Sequence, residues 1–254
     1  MPRDCLSITI MDTLVARLED TLSSDQATRD AAEQYLAHET LPKSRTDDVL
    51  GVQLAQILSE ASLSLYVRQA AAIALKKYVR KRWSIFFDTF TQDMVVNGIV
   101  QTVDATPVEA KEHIRTSLLA CLCDAEPKVR SQASDILSLI SSCDFPDHFP
   151  QLLPTLQAYL HSYAEQDAHA AYKVHGAMKF LLDLVHVELD ENQLLMVAQQ
   201  LVPLLQGIVS SSSDWITPHT RARCINVFHQ CLISLYMAKD SYVDTVHMLS
   251  LIHI

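Results

Sequence analysis

VRQAAAIALKKYVRKRW, running from Val67 to Trp83, is the stretch that decides the fold. It opens on a Val-Arg pair, with a small residue three after the Arg (Ala71) and an apolar residue seven after it (Leu75). The same phrase returns at Val129-Arg130, followed by Ala133 and Leu137. Looser copies are anchored at Arg29 (Ala32, Leu36), His175 (Met178, Leu182) and Arg221 (Cys224, Phe228). The anchors Arg29, Arg68, Arg130, His175 and Arg221 lie 39, 62, 45 and 46 residues apart. Offsets of three and seven bring residues onto one helix face. Recurrence at this period marks stacked repeats rather than one closed globule.

Composition agrees. The chain has 254 residues, 49% of them hydrophobic, and only four Gly, which leaves few tight hairpins and favours helices. Thirty acidic against 20 basic residues give a formal net charge of −10. Such a balance repels phosphate backbones, so nucleic acid is not an expected ligand, and it suits a basic protein partner. Acidity is also what keeps many proteins in solution. The six Cys stand mostly in apolar helical contexts without disulfide spacing, as expected in a reducing compartment. No uninterrupted apolar run spans a bilayer, and Arg3-Asp4 precede no signal-peptide core.

Periodicity and breakers predict helices over 11–22, 25–38 (capped by Asp25), 49–61 and 65–83. Pro42 breaks the chain between the second and third. Residues 89–101 suit a short helix, although Val95-Val96 and Ile99-Val100 also suit a strand. Further helices are predicted over 107–123, 126–141, 149–164, 168–187, 191–209 (kinked at Pro203) and 218–237, with a flexible serine connector at 210–213. Asp144 and Asp147, beside Pro146, read as helix caps. The sum is an all-α, right-handed α-solenoid of HEAT (ARM-type) repeats, about five helix pairs plus the start of a sixth. The apolar, uncapped end at 248–254 reads as a cut in a longer solenoid.

Residues 29–83 resemble the importin-beta N-terminal domain of nuclear transport receptors (karyopherins). The matching residues are Arg29, Ala32, Glu33, Leu36, Pro42, Leu54, Val67, Arg68, Gln69, Ala71, Leu75, Lys76, Val79 and Trp83. CDFPDHFPQLLP (143–154) is similar to the family's Pro-rich junction after the third repeat, with Phe149 where Trp is usual. KVHGAMKFL (173–181) resembles the importin-nine branch. The expected organisation is an importin-beta N-terminal domain at 11–83, further HEAT repeats at 84–240, and a truncated sixth repeat at 241–254.

The resemblance implies a non-enzymatic import receptor without cofactors, shuttling between cytoplasm and nucleus. Its implied partners are Ran in its GTP form, basic cargo such as histones or ribosomal proteins, and Phe-Gly nucleoporins, with no membrane insertion. The alternative is a HEAT scaffold or regulatory subunit of a protein complex, which lacks the LKxxVxxxW ending present at Leu75–Trp83.

Within this frame, Arg68 and Arg130 read as stacking residues that pair with an Asp or a carbonyl in the neighbouring repeat. Gln69, Ala72, Lys76 and Arg80 share a second face of their helix and are the expected Ran contacts; the resemblance places Lys76 at a family position that touches Ran. Lys77, Lys81 and Arg82 read as plain surface charge, and Trp83 as a lid on the second repeat. Lys173, His175 and Lys179 open a later repeat-bearing helix and are possible partner contacts. Cys121-x-Cys123 lacks a second ligand pair, and Cys224, His229 and Cys231 fall on different helix faces, so no metal site is expected. No phosphate-loop, GxSxG or HExxH motif is present.

Overall fold

The strong repeat phrase lies on a helix, Leu65–Arg82, started by the Ser64 side chain, which accepts the Val67 N–H. The computed structural model describes residues 3–39, 49–87, 89, 93–96, 99–102, 105–165, 168–186, 189–214 and 216–237. Pro42 and the expected sixth-repeat start at 241–254 lie outside them. The helices are α1 (Arg3–Asp20), α2 (Gln26–Glu39), α3 (Leu50–Ser59), α4 (Leu65–Arg82), α5 (Val108–Cys121), α6 (Pro127–Asp144), α7 (Leu152–His161), α8 (Ala168–Val185), α9 (Glu191–Ser210) and α10 (Pro218–Met237). A short 3-10 turn, Ser162–Ala164, follows α7.

The expected helix over 89–101 is overturned. Strands β1 (Asp93–Val96) and β2 (Ile99–Thr102) pair antiparallel there, with Val96 opposite Ile99 and Val95 opposite Val100. The overlooked signal is Asn97-Gly98 between two β-branched pairs, the strongest short-range hairpin signature. Gly scarcity across the chain says nothing about one well-placed Gly.

Contacts divide the chain into two compact units, 1–121 with 126–136, and 122–125 with 137–254. In the first unit, α3 packs against both α4 and α5, and α1 against α2 and α4. That sandwiching explains why α3 is buried nearly all round, through Gly51, Leu54, Ala55, Ile57 and Leu58. Each fully buried Leu or Ile there contributes about 1.5–3 kcal/mol. Asp25 caps α2 as expected: its carboxylate accepts the Thr28 N–H at 2.8 Å, and the Thr28 hydroxyl holds its pKa below the ordinary carboxylate value. The end of α4 is satisfied by Thr106, whose N–H and hydroxyl both donate to the Arg82 carbonyl, at 2.7 and 2.9 Å. Thr106 Oγ1 lies 3.1 Å from the buried Tyr78 hydroxyl.

In the second unit α7 packs on α8, α9 on α10, α7 on α9 and α8 on α10. Like helices of successive pairs therefore stack, the two-layer arrangement that the repeat period requires. The α9 start carries a full capping box between Asp190 and Gln193, and the Gln193 amide also donates to the Phe145 carbonyl of the Pro-rich junction. Asp144 and Asp147 do not cap α7. The residue preceding that helix is Gln151, without a side-chain cap bond; Asp144 is buried as the last residue of α6. The serine connector is bonded rather than loose: Ser211 Oγ accepts the Ser213 N–H, and the Ser211 carbonyl accepts from Arg221. Among the described helices, α9 is long and apolar enough to cross a membrane over Asn192–Ser210. Here its apolar stripe, including Val197, Leu201, Leu205 and Ile208, is buried in the second unit.

Candidate functional site

The Arg of the repeat phrase ties the two helices of a pair together. Arg68 is buried, and its Nε donates to the Leu58 carbonyl at 2.8 Å, in the last turn of α3. Arg221 repeats the device with three carbonyls, Val209 (3.3 Å), Ser211 (2.7 Å) and Ile216 (2.6 Å). Arg29 donates to the Ser23 carbonyl after α1 at 2.6 Å. A cation among the last carbonyls of a helix satisfies orphan acceptors and meets the negative end of the helix dipole. Arg68 was expected to reach the neighbouring repeat; its Nε bonds instead a carbonyl of the other helix in its own pair.

The Gln69, Ala72, Lys76 and Arg80 face is not uniformly presented. Gln69 is half-buried and Arg80 exposed, but Ala72 is fully buried. Lys76 is about one-third exposed and reaches Asp135 of α6 at 3.6 Å. The residues that α4 turns outward are Tyr66, Gln69, Ile73, Lys77, Arg80 and Lys81. At 100° per residue, the centre of this stripe lies roughly 70° round the helix from the expected face. Ala72 therefore falls on the flank where Lys76 reaches α6, and it is withdrawn as a surface contact.

Lys77 and Lys81 are exposed as expected, but they line a cavity of about 760 Å³ rather than open surface. Arg82 is buried, against the expectation of plain surface charge. The cavity's walls are α2 (Glu33, Leu36) and α4 (Tyr66, Ile73), with Leu54 of α3 on its lining and Leu22 and Gln132 at its margins. Three of the chain's strongly exposed large apolar residues meet in it: Leu22, Tyr66 and Ile73 are 52, 68 and 52% exposed. Trp83 is fully buried, with the Lys111 ammonium 5.0 Å from its ring centroid, which agrees with the lid expectation.

In the second unit, Lys173 pairs with Glu165 at 3.9 Å, Lys179 with Asp183 one turn on, and His175 is half-buried. The structure thus joins each lysine to a carboxylate instead of gathering the three into one site. The neighbouring Gly176 is structural: a Cβ there would lie 1.8 Å from the Leu122 carbonyl oxygen. The buried thiols of Cys224 and Cys231 are pushed up to about 12 by burial, which leaves them as small apolar groups.

Comparison with known proteins finds likenesses for these features. Residues 37–124 match the importin-beta N-terminal domain, a span that covers α3, α4 and the hairpin. The chain is similar to importin subunit beta-5 of Schizosaccharomyces pombe, at 27% identity over 92% of this chain and 22% of that protein. It is also similar to exportin-2 of Drosophila melanogaster, at 26% identity over 56% of this chain and 13% of that protein. The chain thus spans about a fifth or less of the length of these relatives. Yeast importin-beta (Kap95p) superposes with a TM-score of 0.67 at 18% identity, over 94% of this chain and 26% of that one. A structure of Kap95p that turns the switch loops of RanGDP to the GTP-bound conformation superposes at 0.58 and 17% identity, over 91% of this chain and 25% of that one. Those likenesses show the HEAT-repeat solenoid fold, and residues 37–124 carry the match to the importin-beta N-terminal domain.

Proposed function

We propose that this chain is the GTPase-binding, N-terminal part of a nuclear import receptor. The observation that carries the proposal is the importin-beta N-terminal domain match across α4, whose outward face is cationic on an otherwise acidic chain. The Kap95p structure with Ran supports Ran as the partner. Gln69, Lys76 and Arg80 are the proposed contacts, with Lys76 exchanging Asp135 for a carboxylate of the GTPase. The importin subunit beta-5 likeness, along 92% of the chain, supports the importin-nine-like branch. The net charge of −10 supports carriage of basic proteins such as histones or ribosomal proteins, because complementary charge steers association. Shuttling between cytoplasm and nucleus through Phe-Gly nucleoporin contacts, without catalysis, completes the proposal. Lys173, His175 and Lys179 are proposed as secondary partner contacts.

The test is a pull-down of Ran loaded with GTP or GDP on the 254-residue chain. Preferential capture of the GTP form is expected. Arg80→Glu, an exposed change, should weaken it about fivefold. Equal capture of the two forms, or an Arg80→Glu variant that binds as well as the parent, would refute the assignment. Ran acts as a switch only through different affinity for the two receptor shapes, so the GTP-to-GDP ratio is the informative quantity.

A further inference from the structure

We infer that the groove between α2 and α4 is a docking slot for an amphipathic acidic segment of a partner protein. Three observations converge there. The slot, at about 760 Å³, falls in the range of built ligand sites, roughly 300–1,000 Å³. Its mouth holds Leu22, Tyr66 and Ile73, each more than half exposed, and grouped apolar exposure marks a binding surface where scattered exposure does not. Its charge is ordered along α4: apolar Tyr66 and Ile73 come first, and Lys77 and Lys81 follow.

The spacing sets the length and polarity of the occupant. From Tyr66 to Lys81 is 15 residues, or about 22 Å of helix. Four turns of a partner helix match that length, with apolar anchors over the Tyr66–Ile73 half and carboxylates over the lysine half. Glu33 on the α2 wall is the one carboxylate among the lining residues, against the two lysines Lys77 and Lys81. The chain's acidic excess does not forbid an acidic occupant. At about 0.15 M salt the screening length is about 8 Å, so local lysines outweigh distant carboxylates. The slot overlaps the proposed GTPase contacts at Gln69, whereas Lys76 and Arg80 do not line the cavity, and peptide binding is measured without the GTPase.

The experiment uses a fluorescein-labelled 15-residue helical peptide, with leucines on one face of one half and glutamates in the other half. A control peptide carries lysines in place of the glutamates, and both are made in both chain directions. Anisotropy with the 254-residue chain should show the acidic peptide binding at least about tenfold more tightly than the control in one direction. Lys77→Glu combined with Lys81→Glu, both exposed positions on the slot, should reverse that preference. Ile73→Asp should weaken the acidic peptide about tenfold; Ile73 is half exposed, and circular dichroism checks that the fold is kept. Equal affinity for both peptides, no binding of either, or binding indifferent to both variants would overturn the inference.

Discussion

Replacing Gly176 by Ala should damage the second unit far more than the same change at Gly207, although both lie inside helices. At Gly176 the new methyl carbon would sit 1.8 Å from the Leu122 carbonyl oxygen and 2.7 Å from its carbon. A carbon needs about 3.3 Å from a carbonyl oxygen, so roughly 1.5 Å must be found by moving main chain. Overpacking of this kind costs about 1–3 kcal/mol, and rigid backbone on the far side puts this site at the upper end. Ala gains back about 1 kcal/mol of helix propensity, which leaves a net loss of about 2 kcal/mol. At an m-value of about 2 kcal/mol/M, the urea midpoint of the second unit should fall by about 1 M. At Gly207 the nearest atom is the Tyr163 hydroxyl oxygen at 2.9 Å, the far end of a side chain that can turn aside. Gly207→Ala should therefore be neutral or slightly stabilising. Urea unfolding followed by circular dichroism decides. Equal midpoints for the two variants, or a Gly176→Ala variant as stable as the parent, would refute the close approach of α8 to Leu122.

Other outcomes follow from the same structure. Arg68→Ala removes a buried donor from the Leu58 carbonyl and should cost about 1–3 kcal/mol in urea unfolding, and Arg68→Lys should not restore it fully. Cys224 and Cys231, with pKa values pushed up to about 12, are ionised in roughly one part in 10⁴ at pH 8, so iodoacetamide should label them only after unfolding; rapid labelling of the native chain would contradict their burial. Asp25 has its pKa lowered by the Thr28 bonds, so its capping contribution is complete above the unfolded value and is lost as pH falls through the lower folded value. The stability difference between parent and Asp25→Ala should thus hold at pH 6 and shrink below about pH 3.8; a difference that grows on acidification would contradict the cap.

The helix pairs were legible because helix formation and burial depend on local periodicity and on a few breakers. Asp25 and Pro218 could be read as helix starts from their neighbours alone, and α10 runs over the expected 218–237. The tie made by Arg68 was expected across to the neighbouring repeat, but an Arg opening the second helix of a pair lies near the carbonyl end of the first and bonds there. The hairpin at 93–102 was also within reach, through Asn97-Gly98, but was outweighed by the helical trend of the whole chain.

What the sequence determined by itself is therefore the repeat, the helical stretches, though α1 starts at Arg3 rather than at the expected residue 11, and the importin-beta N-terminal likeness carried by Val67–Trp83. What only tertiary structure decided is which side of α4 meets solvent. Ala72 and Ile73 are adjacent, yet the small residue is fully buried and the large apolar one is half exposed. Hydrophobicity would assign them the other way round. Close approach of neighbouring helices requires a small side chain on the inner flank, as Gly176 shows again beside Leu122. It leaves the outer stripe of Tyr66, Ile73, Lys77 and Lys81 free to face the groove. Rotation of a helix about its own axis is fixed by the shapes packed against it, and that information is spread over residues far apart in the chain.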